Sequence, residues 1–398
     1  MTSHPVLRAR ALGALTAVLR DEPAAALPDA AGPWTAFFEL ASAHGLLPAV
    51  WVALRDAGRV SLSSAVAATL EQTAPPGRAV PEVVIRRAYD RNVGRAAMLL
   101  DAGVDILQRF ASEGIRSVPL KGLHSVLAGT WPDPAARTMA DLDVLVDAVE
   151  AARAYASLRA AGYDEHPDPI GEHADHHLPM LGRGEVTVEL HTELLVSRWQ
   201  PLAPADHVLG RAVRASTSRG TLLLADATDA FVHLVAHAQL QDETYTRLGL
   251  PLRALHETAR LDLAAIDGND LHERFERAGV GHVLAAHLDA ARHLFGAAAP
   301  AVQARSRLAV QAGSRLAVQA RSRRAVIHTR LVEAGVALPE VVNGWTYAVR
   351  LPRSFTEDRM VDEFGPADGP AWVWRARARH VARRAALRLG RREGTRTH

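Results

Sequence analysis

Apolar positions along most of this chain recur at helical spacing, and the pattern turns to strand alternation in one short region. Leu7 to Leu19 is amphipathic, Trp34 to Leu40 opens a second helix that stops near His44-Gly45, and Leu47 to Arg55 predicts a third. Pro75-Pro76-Gly77 marks a turn or linker. Residues 81–112 carry a long helical pattern through Val84, Ala97, Leu99, Leu100, Val104 and Leu107, ended by Gly114-Ile115. Strands are expected at Ser117 to Leu120, at Asp141 to Val146 and at Glu185 to His191, with a helix at Ala148 to Ala161 closed by Gly162. Residues 222–296 return to helical spacing. The expected class is α+β. A small mixed-sheet core at 113–200 lies between a helical N-terminal region, 1–112, and a helical region at 201–345, and a linker and basic tail helix follow at 346–398.

Two C-terminal features stand apart. Residues 301–324 repeat an octapeptide three times, Ala301 to Leu308, Ala309 to Leu316 and Ala317 to Arg324. Solenoid units are longer than this, and an eight-residue step drifts around a helix, so the repeat reads as a duplicated coding segment forming an arginine-rich helix. Beyond Gly365-Pro366-Ala367-Asp368-Gly369-Pro370, nine arginines from Arg375 to Arg396 face one acid, Glu393. Such a tail suits nucleic acid, acidic lipid or an acidic peptide. A solvated tail is the plainer reading, and nucleic acid is not favoured as a partner.

Composition changes the picture little. At 398 residues the chain has ample core for two or three domains. It has no cysteine, which excludes disulfides and thiolate chemistry. No apolar run is long enough for a membrane span and no leader pattern opens the chain, so the expected location is the cytoplasm. The net charge of +2 hides the basic C-terminus.

Candidate chemistry collects in the strand region. Asp141 and Asp143 are two apart, so on a strand both carboxylates face one way while Leu142, Val144 and Val146 face the other. Such a pair repels unless a cation sits between its members, and Mg²⁺ suits oxygen ligands shared with phosphates. On this reading, removing one aspartate should leave metal-free stability unchanged or higher. Lys121 is the only lysine among 46 Lys and Arg residues. Beside Gly122, and ahead of a helix-like segment, it fits a compact charge meeting phosphate at a close backbone approach. In the third strand Thr187, Glu189 and His191 share a face. If that strand lies beside the aspartate strand, three carboxylates converge, enough for a two-metal phosphoryl or nucleotidyl transfer site. The cluster His173, His176 and His177 lacks the spacing of a structural zinc site. His233 and His237 lack the glutamate of the zinc-protease pattern and read as buried histidines.

Leu120-Lys121-Gly122, Arg137 through Asp143, Gly162-Tyr163, His176-His177-Leu178 and Val188-Glu189-Leu190-His191 resemble the uncharacterised bacterial nucleotidyltransferase family of the polymerase-β-like superfamily. The resemblance covers most of residues 30–295. The wider superfamily usually has Gly-Gly or Gly-Ser where this chain has Lys-Gly. The resemblance implies transfer of an NMP, AMP foremost, from an NTP to an unidentified hydroxyl or phosphate acceptor on a small molecule, peptide or protein. A natural-product intermediate is one such acceptor. It implies Asp141 and Asp143 on both of two Mg²⁺ ions, and Glu189 on the acceptor-side ion. Lys121, Gly122 and Arg137 would face the outer phosphates, and His191 would support the nucleotide site. For Arg137 a structural salt bridge to a nearby acid stays open. Two rivals stand beside this reading: an enzyme of the aminoglycoside-adenylating type, and a non-catalytic binding or partner protein that kept the fold.

Overall fold

The computed structural model describes residues 4–22, 31–59, 81–165, 176–217, 219–247, 249–298 and 300. The octapeptide repeat, the basic tail, the Pro75-Pro76-Gly77 linker and His173 lie outside the described residues.

Among the described residues, three helices, α1 (His4–Leu19), α2 (Ala31–Ala43) and α3 (Leu47–Asp56), precede α4 (Pro81–Ser112). Proline opens α4, where its fixed φ suits the first turn and its missing N–H costs nothing. The sheet follows: β1 (Ser117–Pro119), α5 (Lys121–Leu127), β2 (Leu142–Val146), α6 (Ala151–Ala160), β3 (Asp164–Glu165), β4 (Leu181–Arg183) and β5 (Val186–His191). Its strand order is β1-β2-β5-β4-β3. The central pair β2/β5 is parallel and the other neighbours are antiparallel. The sheet is thus mixed, within an α+β chain, as the patterning and the resemblance implied.

The C-terminal part differs from expectation in one respect. Helix α7 (Ala205–Arg211) leads into a hairpin, β6 (Val213–Thr217) and β7 (Gly220–Leu224), that the sequence reading did not foresee. Leu222 and Leu224 are strand residues, not the start of a helix. Their inward side chains extend the sheet-side core, which holds the short hairpin in place. Helices α8 (Ala227–Ala236), α9 (Leu252–Arg260), α10 (Gly268–Arg277) and α11 (Gly281–Phe295) complete the described fold. A π-helical turn, His237–Gln241, follows α8 directly.

Alternation along β2 and β5 divides the core. Leu142, Val144, Val146, Val188 and Leu190 face a cluster built with α1 to α6, including Leu99, Leu107 and Phe110 of α4. The opposite face sends Val118, Leu120 and Leu145 into a second cluster with α7, α8, α10 and α11. Asp143 shares the face of Leu145, so the acids open under the C-terminal helices. No single described helix is long and apolar enough to cross a membrane.

Candidate active site

The parallel pairing of β2 with β5 sets Asp143 opposite Glu189 and Leu145 opposite His191. The condition on which the third carboxylate depended is therefore met: Glu189 stands beside the aspartates. Asp141 lies just ahead of β2 and is half-buried, whereas Asp143 is buried.

Lys121 enters from the other side. It begins α5 with φ +47°, a left-handed conformation that costs a residue bearing a Cβ roughly 1–2 kcal/mol and suits glycine. The strained turn aims the ammonium inward, and Lys121 Nζ lies 2.6 Å from Asp143 Oδ1. Helix α5 can dock because Gly103 of α4 has no side chain. A Cβ there would meet Leu123 of α5 at 2.8 Å.

The charges are strongly coupled. Burial alone would raise the Asp143 carboxyl, but Lys121 and His191 outweigh it and hold the group well below the carboxylate range. Burial would lower the Lys121 ammonium, and Asp143 more than offsets it, so Lys121 stays charged. Asp141 goes the other way: burial first, then the charge of Asp143, push it up to about 6. His191 Nε2 donates to Asp143 Oδ1 at 2.9 Å and lies 3.5 Å from Glu189 Oε2. The His191 contact to Glu189 is the largest influence lowering the Glu189 carboxyl below its ordinary range. The cation expected between the aspartates is thus supplied in part by the chain itself. The expectation that removing Asp143 spares metal-free stability is corrected accordingly, because its loss would strand a largely buried ammonium.

The remaining expected residues take structural places as well. Arg137 is buried and its Nε donates to Glu257 Oε2 of α9 at 3.0 Å, while Nη1 donates to the Thr138 carbonyl at 2.6 Å. The acid it meets is remote in sequence, not one of the neighbouring motif acids. The space Gly122 leaves is filled by Met139, whose Cγ would lie 2.7 Å from a Cβ at that position. His191 is fully buried behind the carboxylates. Its ring lies 5.5 Å from those of both His176 and His177, which are themselves 4.9 Å apart. His176 and His177 therefore pack behind the acids.

Several contributors escaped the sequence reading. Arg95 of α4 donates from Nε to the Met139 carbonyl at 3.0 Å and also reaches the Ala140 carbonyl, clamping the turn that presents Asp141. Asn92, one turn earlier, donates to the Ala135 carbonyl at 2.7 Å. The helical period of α4 puts both on one side, but only the fold shows which loop they hold. His233 of α8 is buried, with Nε2 lacking a hydrogen-bond partner. Burial, His237 and the charges of Lys121 and His191 keep it neutral.

Asp143, Glu189 and His191 each bring one ligand atom within 4.8 Å of the others. Because His191 Nε2 donates to Asp143, the oxygen ligands for a divalent cation here are the carboxylates of Asp143, Glu189 and the adjoining Asp141. The geometry combines clustered carboxylates and a charged lysine on the sheet face that lies under the C-terminal helices.

A family model described as an uncharacterised nucleotidyltransferase matches residues 30–296, more than half of the chain. No curated protein and no solved structure matches it.

Proposed function

The chain belongs to the uncharacterised nucleotidyltransferase family, and from that premise we propose a Mg²⁺-dependent transfer of AMP from ATP to a hydroxyl or phosphate of a small molecule or peptide. The parallel pairing that sets Glu189 opposite Asp143 carries this reading. Asp141 and Asp143 would hold two ions, with Glu189 on the acceptor side. When bound, the metal would neutralise phosphate charge and acidify the attacking hydroxyl.

The chain's own residues do the rest. Lys121, held at Asp143 by 2.6 Å, offers its remaining N–H donors to the triphosphate. His191 keeps Asp143 and Glu189 aligned. The acceptor oxygen forms a bond to the α-phosphorus as the bond to the bridging oxygen breaks, and that electron pair leaves on pyrophosphate. Glu189, less buried than Asp143, would take the acceptor's proton.

The test uses the four NTPs, each labelled at the α-phosphate, with Mg²⁺ and a small-molecule and peptide extract. Label should move from ATP to one acceptor, with one pyrophosphate released per transfer. Asp143→Asn or chelation should abolish it. Calorimetry showing no metal-dependent NTP binding by the wild-type chain would refute the proposal.

A further inference from the structure

Resting on the nucleotidyl-transfer reading, we infer that Arg253 on α9 is the guanidinium that grips the outer phosphates of the triphosphate and holds pyrophosphate as it leaves. The sequence pointed to Arg137 for that task, but Arg137 is committed. Its Nε bonds Glu257 at 3.0 Å and Nη1 bonds the Thr138 carbonyl, all in buried surroundings.

Arg253 is one helical turn before Glu257, so the two share a face of α9. A chain of contacts ties that face to the acids. Glu257 holds Arg137, the Arg137 guanidinium lies against Gly122, and the adjoining Lys121 reaches Asp143. The other arginine on this stretch, Arg260, is taken up by the Thr130 carbonyl and the face of Trp131. Arg253 itself is exposed and makes no hydrogen bond or ion pair among the described residues.

Its electrostatic surroundings agree. Arg253 is accessible to water, yet dense neighbouring protein desolvates it, the combination expected of a side chain standing in a cleft. That desolvation, then the like charge of Arg137, lower its pKa, while Glu257, Asp242 and Asp141 favour its charge. Asp242 in turn feels both Lys121 and Arg253. The cation thus feels the acids of the site, with no ion pair of its own among the described residues. An arginine fork matches phosphate oxygens in two-point geometry, whereas Lys121 acts as a point charge.

The experiment measures binding of a non-hydrolysable ATP analogue, AMP and inorganic pyrophosphate to the full chain in Mg²⁺ by calorimetry. Arg253→Ala should weaken the triphosphate analogue and pyrophosphate about tenfold or more, and AMP by less than about twofold. Arg253→Lys should recover only part of the loss. Since the side chain carries no structural bond, Arg253→Gln serves as a second variant and should behave like Arg253→Ala with an unchanged melting curve. Wild-type binding of the analogue with no loss in these variants, or equal losses for AMP, overturns the assignment. A wild-type chain that binds none of the three probes refutes the nucleotidyl-transfer reading itself, and the assignment with it.

Discussion

Lys121 shows how much one side chain carries here. Its backbone adopts a conformation suited to glycine, and its ammonium rests on the buried Asp143. Two variants separate these effects. Lys121→Gly and Lys121→Ala remove the same charge, but only glycine relieves the left-handed turn. Lys121→Gly should therefore be more stable than Lys121→Ala by about 1 kcal/mol in urea unfolding, while both lose triphosphate affinity. Asp141 supplies the pH-dependent counterpart. Its folded pKa, about 6, lies above the ordinary 3.8. A carboxyl raised in this way favours the folded state in acid, and that contribution is lost as pH rises through about 6. Metal-free Asp141→Asn should therefore melt above wild type at about pH 7 to 8. The gain should shrink toward zero between about pH 6 and pH 4, as melting curves across that range would show. Added Mg²⁺ should stabilise wild type more than the variant.

At the scale of elements, the loop between α5 and β2 is held from outside the sheet. Asn92 and Arg95 of α4 bind its carbonyls, Thr138 Oγ1 donates to the Gly45 carbonyl at 2.9 Å, and Arg137 ties it to α9 through Glu257. The Arg137–Glu257 pair is buried on both sides. Breaking such a pair costs more than the pair contributes, because one charge is left without a partner. Glu257→Gln should destabilise the protein by about 3 kcal/mol in denaturant unfolding. The double variant Arg137→Met, Glu257→Leu should recover much of that loss. A second polar chain crosses the helical layer. Thr258 Oγ1 donates to the Ala254 carbonyl and so accepts from His287 Nε2, which leaves His287 Nδ1 to accept from Gln239 of the π turn. Burial lowers His287 to about 3, in keeping with this neutral tautomer. The π turn also places Gln241 3.3 Å from His176, behind the acids. A regular helix through His237–Gln241 would rotate one of these two contacts away.

Over the whole molecule, the sheet is a partition. The face opposite Asp143 packs on the N-terminal helices, and the face bearing Asp143 lies under the C-terminal helices. Every described site residue and the family match precede residue 300. A chain ending at Pro300 should therefore keep metal-dependent NTP binding, measured by calorimetry against the full chain. The nine arginines of the tail should contribute only salt-sensitive association with an anionic partner, lost progressively from about 50 to 200 mM salt. Loss of NTP binding on truncation would show that the C-terminal segment helps build the site.

Periodicity along this chain determined the local structure well. The long helix at 81–112, the β2 and β5 strands and the shared face of Glu189 and His191 were legible because burial on one side imposes a fixed spacing on apolar residues. The short hairpin at 213–224 was not legible, since what holds it is the packing of β7 beside β1 and the contacts of Arg219 in its turn with Asp101 and Gln108 of α4, rather than its own pattern. The acids could be chosen from sequence because like charges two apart on a strand call for a cation. Which cation meets them, and which arginine stays free, depends on residues separated by up to 120 positions, such as Arg137 and Glu257. Those pairings were decided only by tertiary structure, because a charge is neutralised by whatever lies within a few ångströms, and sequence spacing carries no record of that distance.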